Sequence, residues 1–229
     1  MTIHCITFDL DDTLWECWPT IRRAEQTLFT WLQTHYPRIT ERYNPERLYA
    51  HRMTYTKSHP ELQHNLTQIR KNWLALLAQE MGYDADMLRE EGFHVFWQER
   101  NKITFLEGVQ SLLVNLKQDY ILGAITNGNA DVYYMGLGHL FDFAIKAEDA
   151  GVAKPDPAIF QLAIDKANVA VEQMLHVGDD PIGDIQGAQA MGMKTVWVNY
   201  AQNEWQESHQ PDATVHYVTD LDATIRRFS

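Results

Sequence analysis

Apolar and β-branched residues dominate the stretch Ile3-His4-Cys5-Ile6-Thr7-Phe8, which stops at Asp9. A short segment that is apolar on both faces predicts a strand buried in a parallel sheet. His4 is assigned no role, because a single histidine at a strand start is ordinarily a bystander. From about Trp15 to Lys102 the period changes. Ile21, Ala24, Leu28 and Trp31 recur at helical spacing, as do Ile69, Trp73, Leu76 or Leu77, and Met81, and no strand pattern interrupts them. Asp84 is placed to cap a further helix carrying Leu88, Val95 and Phe96, while Tyr36-Pro37 and Ser58-His59-Pro60 supply breaks.

Beyond this insert, strand and helix alternate. Val109, Leu112, Leu113 and Leu116 mark a helix, and Tyr120 to Ile125 a strand that runs into Thr126-Asn127-Gly128-Asn129. Further strands are predicted at Phe143 to Ile145, Met174 to Val177, Thr195 to Val198 and Thr214 to Val218. Helices around Ala158 to Ala167 and Ile185 to Met191 separate several of them. The pattern predicts an α/β fold of right-handed βαβ units around a parallel sheet. Residues 1–14 and 104–229 form its body, interrupted by a helical domain at 15–103. Tyr200 to Asp212 reads as a polar surface loop.

Composition narrows the partners. The 229 residues carry 31 acidic against 19 basic side chains, a formal net charge of −12. That balance argues against a nucleic-acid scaffold, so any phosphate must be bound by local groups. Cys5 and Cys17 are too few for a disulfide framework and lack the spacing of a metal site. The first apolar run is too short to span a bilayer and follows no basic segment, so no membrane role and a cytoplasmic location are expected.

The chemistry concentrates where predicted strands end. In Phe8-Asp9-Leu10-Asp11-Asp12-Thr13-Leu14, Asp9 and Asp11 can face one side of an extended backbone. They can divide two tasks, one attacking phosphorus and the other moving protons for the leaving oxygen and for water. Asp12 reads instead as a turn or cap residue. His176-Val177-Gly178-Asp179-Asp180-Pro181-Ile182-Gly183-Asp184 is a second acidic cluster after a strand. Hard cations such as Mg2+ take carboxylate oxygens, which makes Asp179 a direct ligand candidate. Asp184 is placed to orient Lys154 or a metal-bound water, and Asp180 to be solvated or to cap the next helix. Thr126, Asn127 and Gly128 offer a hydroxyl, an amide and close backbone approach to phosphate oxygens. Lys154, in Ala153-Lys154-Pro155-Asp156-Pro157, is a cation that can stabilise developing phosphoryl charge. Near the first motif, Trp15, Trp18, Arg22 and Arg23 read as packing or solvated helix residues.

In this order the four motifs resemble the haloacid dehalogenase (HAD) superfamily, in its phosphatase branch. Asp9-Leu10-Asp11-Asp12-Thr13 is similar to its first motif, Thr126 to its second, Lys154 to its third, and Gly178-Asp179 through Asp184 to its fourth. The resemblance implies a Rossmann-like HAD core and an aspartyl-phosphate formed on Asp9, with Asp11 as general acid and base. It further implies Mg2+ held by Asp9, the Asp11 backbone carbonyl and Asp179, and a phosphoryl group held by Thr126, Asn127 and Lys154. The helical insert resembles the C1 cap, which carries substrate selectivity. Ile125-Thr126-Asn127-Gly128-Asn129-Ala130 and Leu175-His176-Val177-Gly178-Asp179-Asp180 are similar to bacterial flavin mononucleotide phosphatases. The expected substrate is thus a phosphorylated small molecule: flavin mononucleotide, a nucleoside monophosphate or a sugar phosphate. Two other functions use the same residues, dehalogenation of a 2-haloacid and non-catalytic sensing of a phosphometabolite. An acid at Asp11 argues against the first, because a departing halide needs no proton.

Overall fold

A computed structural model describes residues 2–228. Six strands, β1 (Cys5–Phe8), β2 (Ile121–Thr126), β3 (Phe143–Lys146), β4 (Met174–Gly178), β5 (Lys194–Val198) and β6 (Ala213–Val215), form one sheet in the order β3-β2-β1-β4-β5-β6. Every pairing is parallel. All four residues of β1 are buried, as expected for a central strand of a parallel sheet, and Thr7 is its polar side chain.

The chain leaves β1 towards β2 and β3, then returns to β4 on the other side of β1. Strand order reverses there, so the carboxyl ends of β1 and β4 flank the crevice where ligands of such sheets bind. The register puts Phe8 opposite both Ala124 and Val177, and the Asp9 N–H donates to the Val177 carbonyl at 2.9 Å. Residues that follow β1, β2 and β4 thereby emerge at one level.

Chain contacts divide the molecule into two compact units, Met1–Glu16 with Thr104–Ser229, and Cys17–Ile103. The second is helical, with α1 (Cys17–His35), α2 (Pro37–Arg42), α3 (Pro45–Lys57), α4 (Leu66–Glu80), α5 (Ala85–Met87) and α6 (Phe93–Arg100). Its core gathers Leu28, Leu32, Ile39, Trp73, Leu74, Leu77 and Phe96, each large apolar side chain contributing about 1.5–3 kcal/mol on burial. Asp84 does cap α5, accepting from the Met87 N–H, but a π-helical turn at Leu88–Gly92 separates that helix from α6. α3 escaped the periodicity because it buries only Leu48, so its apolar residues do not make one buried stripe. Within this unit Glu25 ion-pairs with both Arg70 and Arg52. Burial opposes its ionisation, yet the two guanidinium groups outweigh burial and hold the carboxyl below its usual range.

Around the sheet lie α7 (Val109–Leu116), α8 (Ala147–Ala150), α9 (Pro157–Ala167), α10 (Gly187–Ala190) and α11 (Leu221–Arg226). Ile159, Phe160 and Ala163 of α9 pack with Cys5, Ile125, Ile145 and Met174 from the strands. The last strand is shorter than its apolar pattern predicts. β5 offers partners only as far as Val198, opposite Val215, and Val218–Asp220 instead turns as a 3-10 helix into α11. Among the described residues no helix is long and apolar enough to cross a membrane.

Candidate active site

After β1 the chain folds back on itself within a few residues. Leu14 N–H donates to the Leu10 carbonyl at 2.9 Å and Asp12 N–H to the Trp15 carbonyl at 2.7 Å. The turn needs one left-handed residue, supplied by Asp12 at φ 59°, a conformation that aspartate tolerates better than most side chains. Asp12 thus has the turn role its spacing suggested. Trp15, wholly buried, donates its Nε1–H to Asp11 Oδ1 at 2.8 Å. Periodicity marked Trp15 only as packing. Its polar nitrogen, four residues from a carboxylate, was the available signal for this second task.

Lys154 is the hub. Its buried Nζ donates to Asp9 Oδ1 at 2.5 Å, to the Ile125 carbonyl at 2.7 Å and to Asp184 Oδ1 at 2.6 Å, which uses all three ammonium protons. Burial alone would favour the neutral amine, but the carboxylates of Asp184 and Asp9 outweigh it and raise the lysine above its ordinary range. Asn127 fastens the lysine's backbone in both directions. Its Nδ2 donates to the Lys154 carbonyl at 3.0 Å and its Oδ1 accepts the Lys154 N–H at 2.8 Å. Oδ1 and one proton of Nδ2 are thus engaged by the lysine's backbone, and the second Nδ2 proton is the one left to donate to a ligand. Thr126, buried at the end of β2, accepts the Gly128 N–H at 3.0 Å, and its own hydroxyl proton remains available for an oxygen ligand.

Asp184 is almost fully enclosed. Oδ1 meets Lys154 and His176 Nε2 (3.2 Å), and Oδ2 accepts the Asp180 N–H at 3.0 Å. Burial opposes its charge, but Lys154 and His176 prevail and hold it far below the usual carboxylate range. Asp180 caps the following π-helical turn through the Ile182 and Gly183 N–H groups. Gly178 makes this packing feasible: a Cβ there would stand 2.3 Å from the Asp184 carboxyl. Gly178→Ala is expected to displace that carboxylate and cost about 1–3 kcal/mol through overpacking, read as a lower denaturation midpoint together with reduced turnover.

One oxygen from each of Asp9, Asp179 and Asp184 lies within 4.8 Å of the others. Three carboxylates against one ammonium leave two negative charges in excess, which suits a divalent cation with oxygen ligands. The oxygens of Asp184 are already occupied by protein donors, so Asp9 and Asp179 are the carboxylates that fit such an ion. Asp179 accepts from Thr13 Oγ1 at 3.2 Å, and the Trp197 indole N–H holds its backbone carbonyl at 2.8 Å. Burial, reinforced by Asp184 and Asp12, pushes the Asp179 carboxyl up to about 7. Asp9 is also raised, first by burial and then by Asp184 and Asp179, with Lys154 opposing.

Beside Asp12 and Asp179 opens a cleft of about 1310 Å³, walled by Trp15, Trp197, Tyr200 and Tyr217, with Glu16 and Glu204 on its rim.

The sequence matches the haloacid dehalogenase-like hydrolase family over residues 3–192. It is 34% identical over 203 residues to the 5-amino-6-(5-phospho-D-ribitylamino)uracil phosphatase YigB of Escherichia coli, covering 86% of this chain and 83% of that one. The pyrimidine 5'-nucleotidase YjjG of the same organism is 34% identical over 128 residues, 53% of this chain and 57% of its own length. Among solved structures, one titled 2-haloacid dehalogenase from Pseudomonas syringae superposes over all of both chains with a TM-score of 0.92 at 38% identity. The convergence of Asp9, Lys154, Asp179 and Asp184 thus sits in a known setting: the chain belongs to the haloacid dehalogenase-like hydrolases.

Proposed function

We propose that the enzyme hydrolyses small phosphate monoesters through an aspartyl-phosphate on Asp9, with Mg2+ as its metal. The observation that carries this reading is the Lys154 ammonium, held between Asp9 and Asp184 beside a carboxylate set with two uncompensated charges. Asp9 attacks phosphorus and the bond to the leaving oxygen breaks, while Asp11 gives that oxygen its proton. Asp11, now a carboxylate, removes a proton from water; the water oxygen attacks the aspartyl-phosphate, releasing phosphate and restoring Asp9. Trp15 orients Asp11 for both transfers. Lys154 and the Thr126 hydroxyl neutralise and hold the phosphoryl oxygens, and Asn127 acts through the lysine it clasps. Bound at Asp9, Asp179 and the Asp11 backbone carbonyl, Mg2+ would offset the repulsion between attacking carboxylate and phosphate. The helical unit serves as the cap that selects the leaving group.

For that leaving group we favour a planar ring on a polyol or sugar arm, the class of flavin mononucleotide. The name of the Escherichia coli relative, a phosphatase of a ribitylamino-uracil phosphate, supports this choice. So do the aromatic walls and acidic rim of the cleft, which suit a neutral ring better than a further anion.

The test is phosphate release from flavin mononucleotide, nucleoside monophosphates and sugar phosphates, with and without EDTA. Activity on the ring-bearing esters that disappears with chelation and returns with Mg2+ is expected; full activity in excess EDTA would remove the metal from the account. Because the Pseudomonas syringae neighbour is described as a 2-haloacid dehalogenase, 2-chloropropionate is the control, and halide release without phosphatase activity would reverse the reading. Trp15→Phe keeps the ring and loses the indole donor. It is expected to lower kcat roughly tenfold, the scale of one hydrogen bond to a charged group, with KM little changed.

A further inference from the structure

His176 ends no motif by its chemistry, yet it is completely buried beside the site. Its ring is engaged at both nitrogens: Nδ1 lies 2.8 Å from Thr7 Oγ1 and Nε2 lies 3.2 Å from Asp184 Oδ1. The parallel register of β1 and β4 puts Thr7 directly opposite His176, and the Phe160 ring meets the imidazole edge-on at 5.5 Å between centroids. A residue serving only to fill space here would be apolar, since each buried polar atom needs a partner.

We propose that His176 is a positioning residue: an Nε2–H donor that fixes Asp184 in the one orientation from which this carboxylate aims Lys154 at Asp9. The tautomer follows from the partners. An ionised Asp184 can only accept, so Nε2 carries the proton, and Nδ1 must then accept from the Thr7 hydroxyl. Thr7 has a second acceptor, the Leu175 carbonyl at 3.4 Å, but the shorter contact is to the ring. Burial favours the neutral imidazole, so the ring adds a directed donor without adding charge. A continuous line of hydrogen bonds therefore runs from the sheet interior to the candidate nucleophile, through Thr7, His176, Asp184, Lys154 and Asp9. Without His176, Asp184 Oδ1 keeps Lys154 as its donor and the Asp180 N–H still holds Oδ2, so what is lost is the fixed donor that sets the direction of Oδ1.

The idea rests on Lys154 and Asp9 being the working groups, and its test has an arm that does not depend on turnover. Nitrogen-15 NMR of the full chain labelled at histidine is expected to show His176 as the neutral Nε2–H tautomer, and Thr7→Val, which deletes only the hydroxyl, to disturb that signal. In kinetics, His176→Leu is expected to lose 10- to 100-fold in kcat, the usual scale for partners behind a site's direct ligands, with KM nearly constant. His176→Gln presents an N–H at the reach of Nε2 and is expected to recover most of that loss. Thr7→Val is expected to fall between wild type and His176→Leu. An Nδ1–H tautomer, an imidazolium, or a glutamine variant no better than leucine would overturn the proposal. Should His176→Leu fail to fold, the tautomer and the Thr7→Val signal decide it. If wild-type enzyme releases phosphate from no ester, the phosphatase reading fails while the NMR result still judges the positioning of Asp184.

Discussion

Asp9→Asn is expected to abolish phosphate release, by at least about 10³-fold in kcat, while the protein stays folded. The amide keeps the shape of the carboxyl but cannot attack phosphorus, and its oxygen accepts the bond that Lys154 donates to position 9 without the carboxylate's negative charge. The fold survives because the strand junction is held by backbone: the Asp9 N–H still reaches the Val177 carbonyl, and Lys154 keeps Asp184 and the Ile125 carbonyl. Removing one of three clustered carboxylates also relieves the cost that raises the Asp9 carboxyl, which comes first from burial and then from repulsion by Asp184 and Asp179. The denaturation midpoint is therefore expected to be unchanged or slightly higher. Purified Asp9→Asn enzyme with a substantial fraction of wild-type turnover would remove Asp9 as nucleophile.

Most of the architecture was legible because period and burial coincide here. β1 reads apolar on both faces since both faces are covered, and the motifs fall at strand ends because a parallel sheet delivers its ligands there. Three features were not legible, each for a stated reason. α3 buries only Leu48 and spreads its other apolar residues without a buried stripe, so no such pattern announced it. β6 stops at Val215 because its only neighbour runs out, which is a matter of pairing rather than of local preference. Side-chain direction is the third. Thr126, Asn127, Lys154 and Asp184 were grouped as one site, but spacing could not tell that the Asn127 amide would close on the Lys154 backbone, or that both Asp184 oxygens would be taken by protein donors. Those commitments divide the residues into groups that can meet a substrate and groups that hold them.

Lys154→Met is the second large effect and separates holding from reacting. The thioether chain fills the lysine's volume but removes the ammonium shared by Asp9 and Asp184. Asp184 lies in the protein interior with His176 and the Asp180 N–H as its remaining donors. Taking one partner from a buried ion pair leaves an uncompensated charge, which typically costs about 3–5 kcal/mol. For a chain of this size that corresponds to a midpoint roughly 10 °C lower. Activity is expected to fall by about 10³-fold or more, because the cation that offsets phosphoryl charge is gone. The double variant Lys154→Met with Asp184→Asn distinguishes the two losses. Neutralising the stranded carboxylate is expected to restore much of the stability, since the buried charge causes most of it, and to restore none of the activity, since an asparagine supplies no cation. A double variant as unstable as Lys154→Met alone would mean that the lysine's packing, and not its charge balance with Asp184, holds this part of the core together.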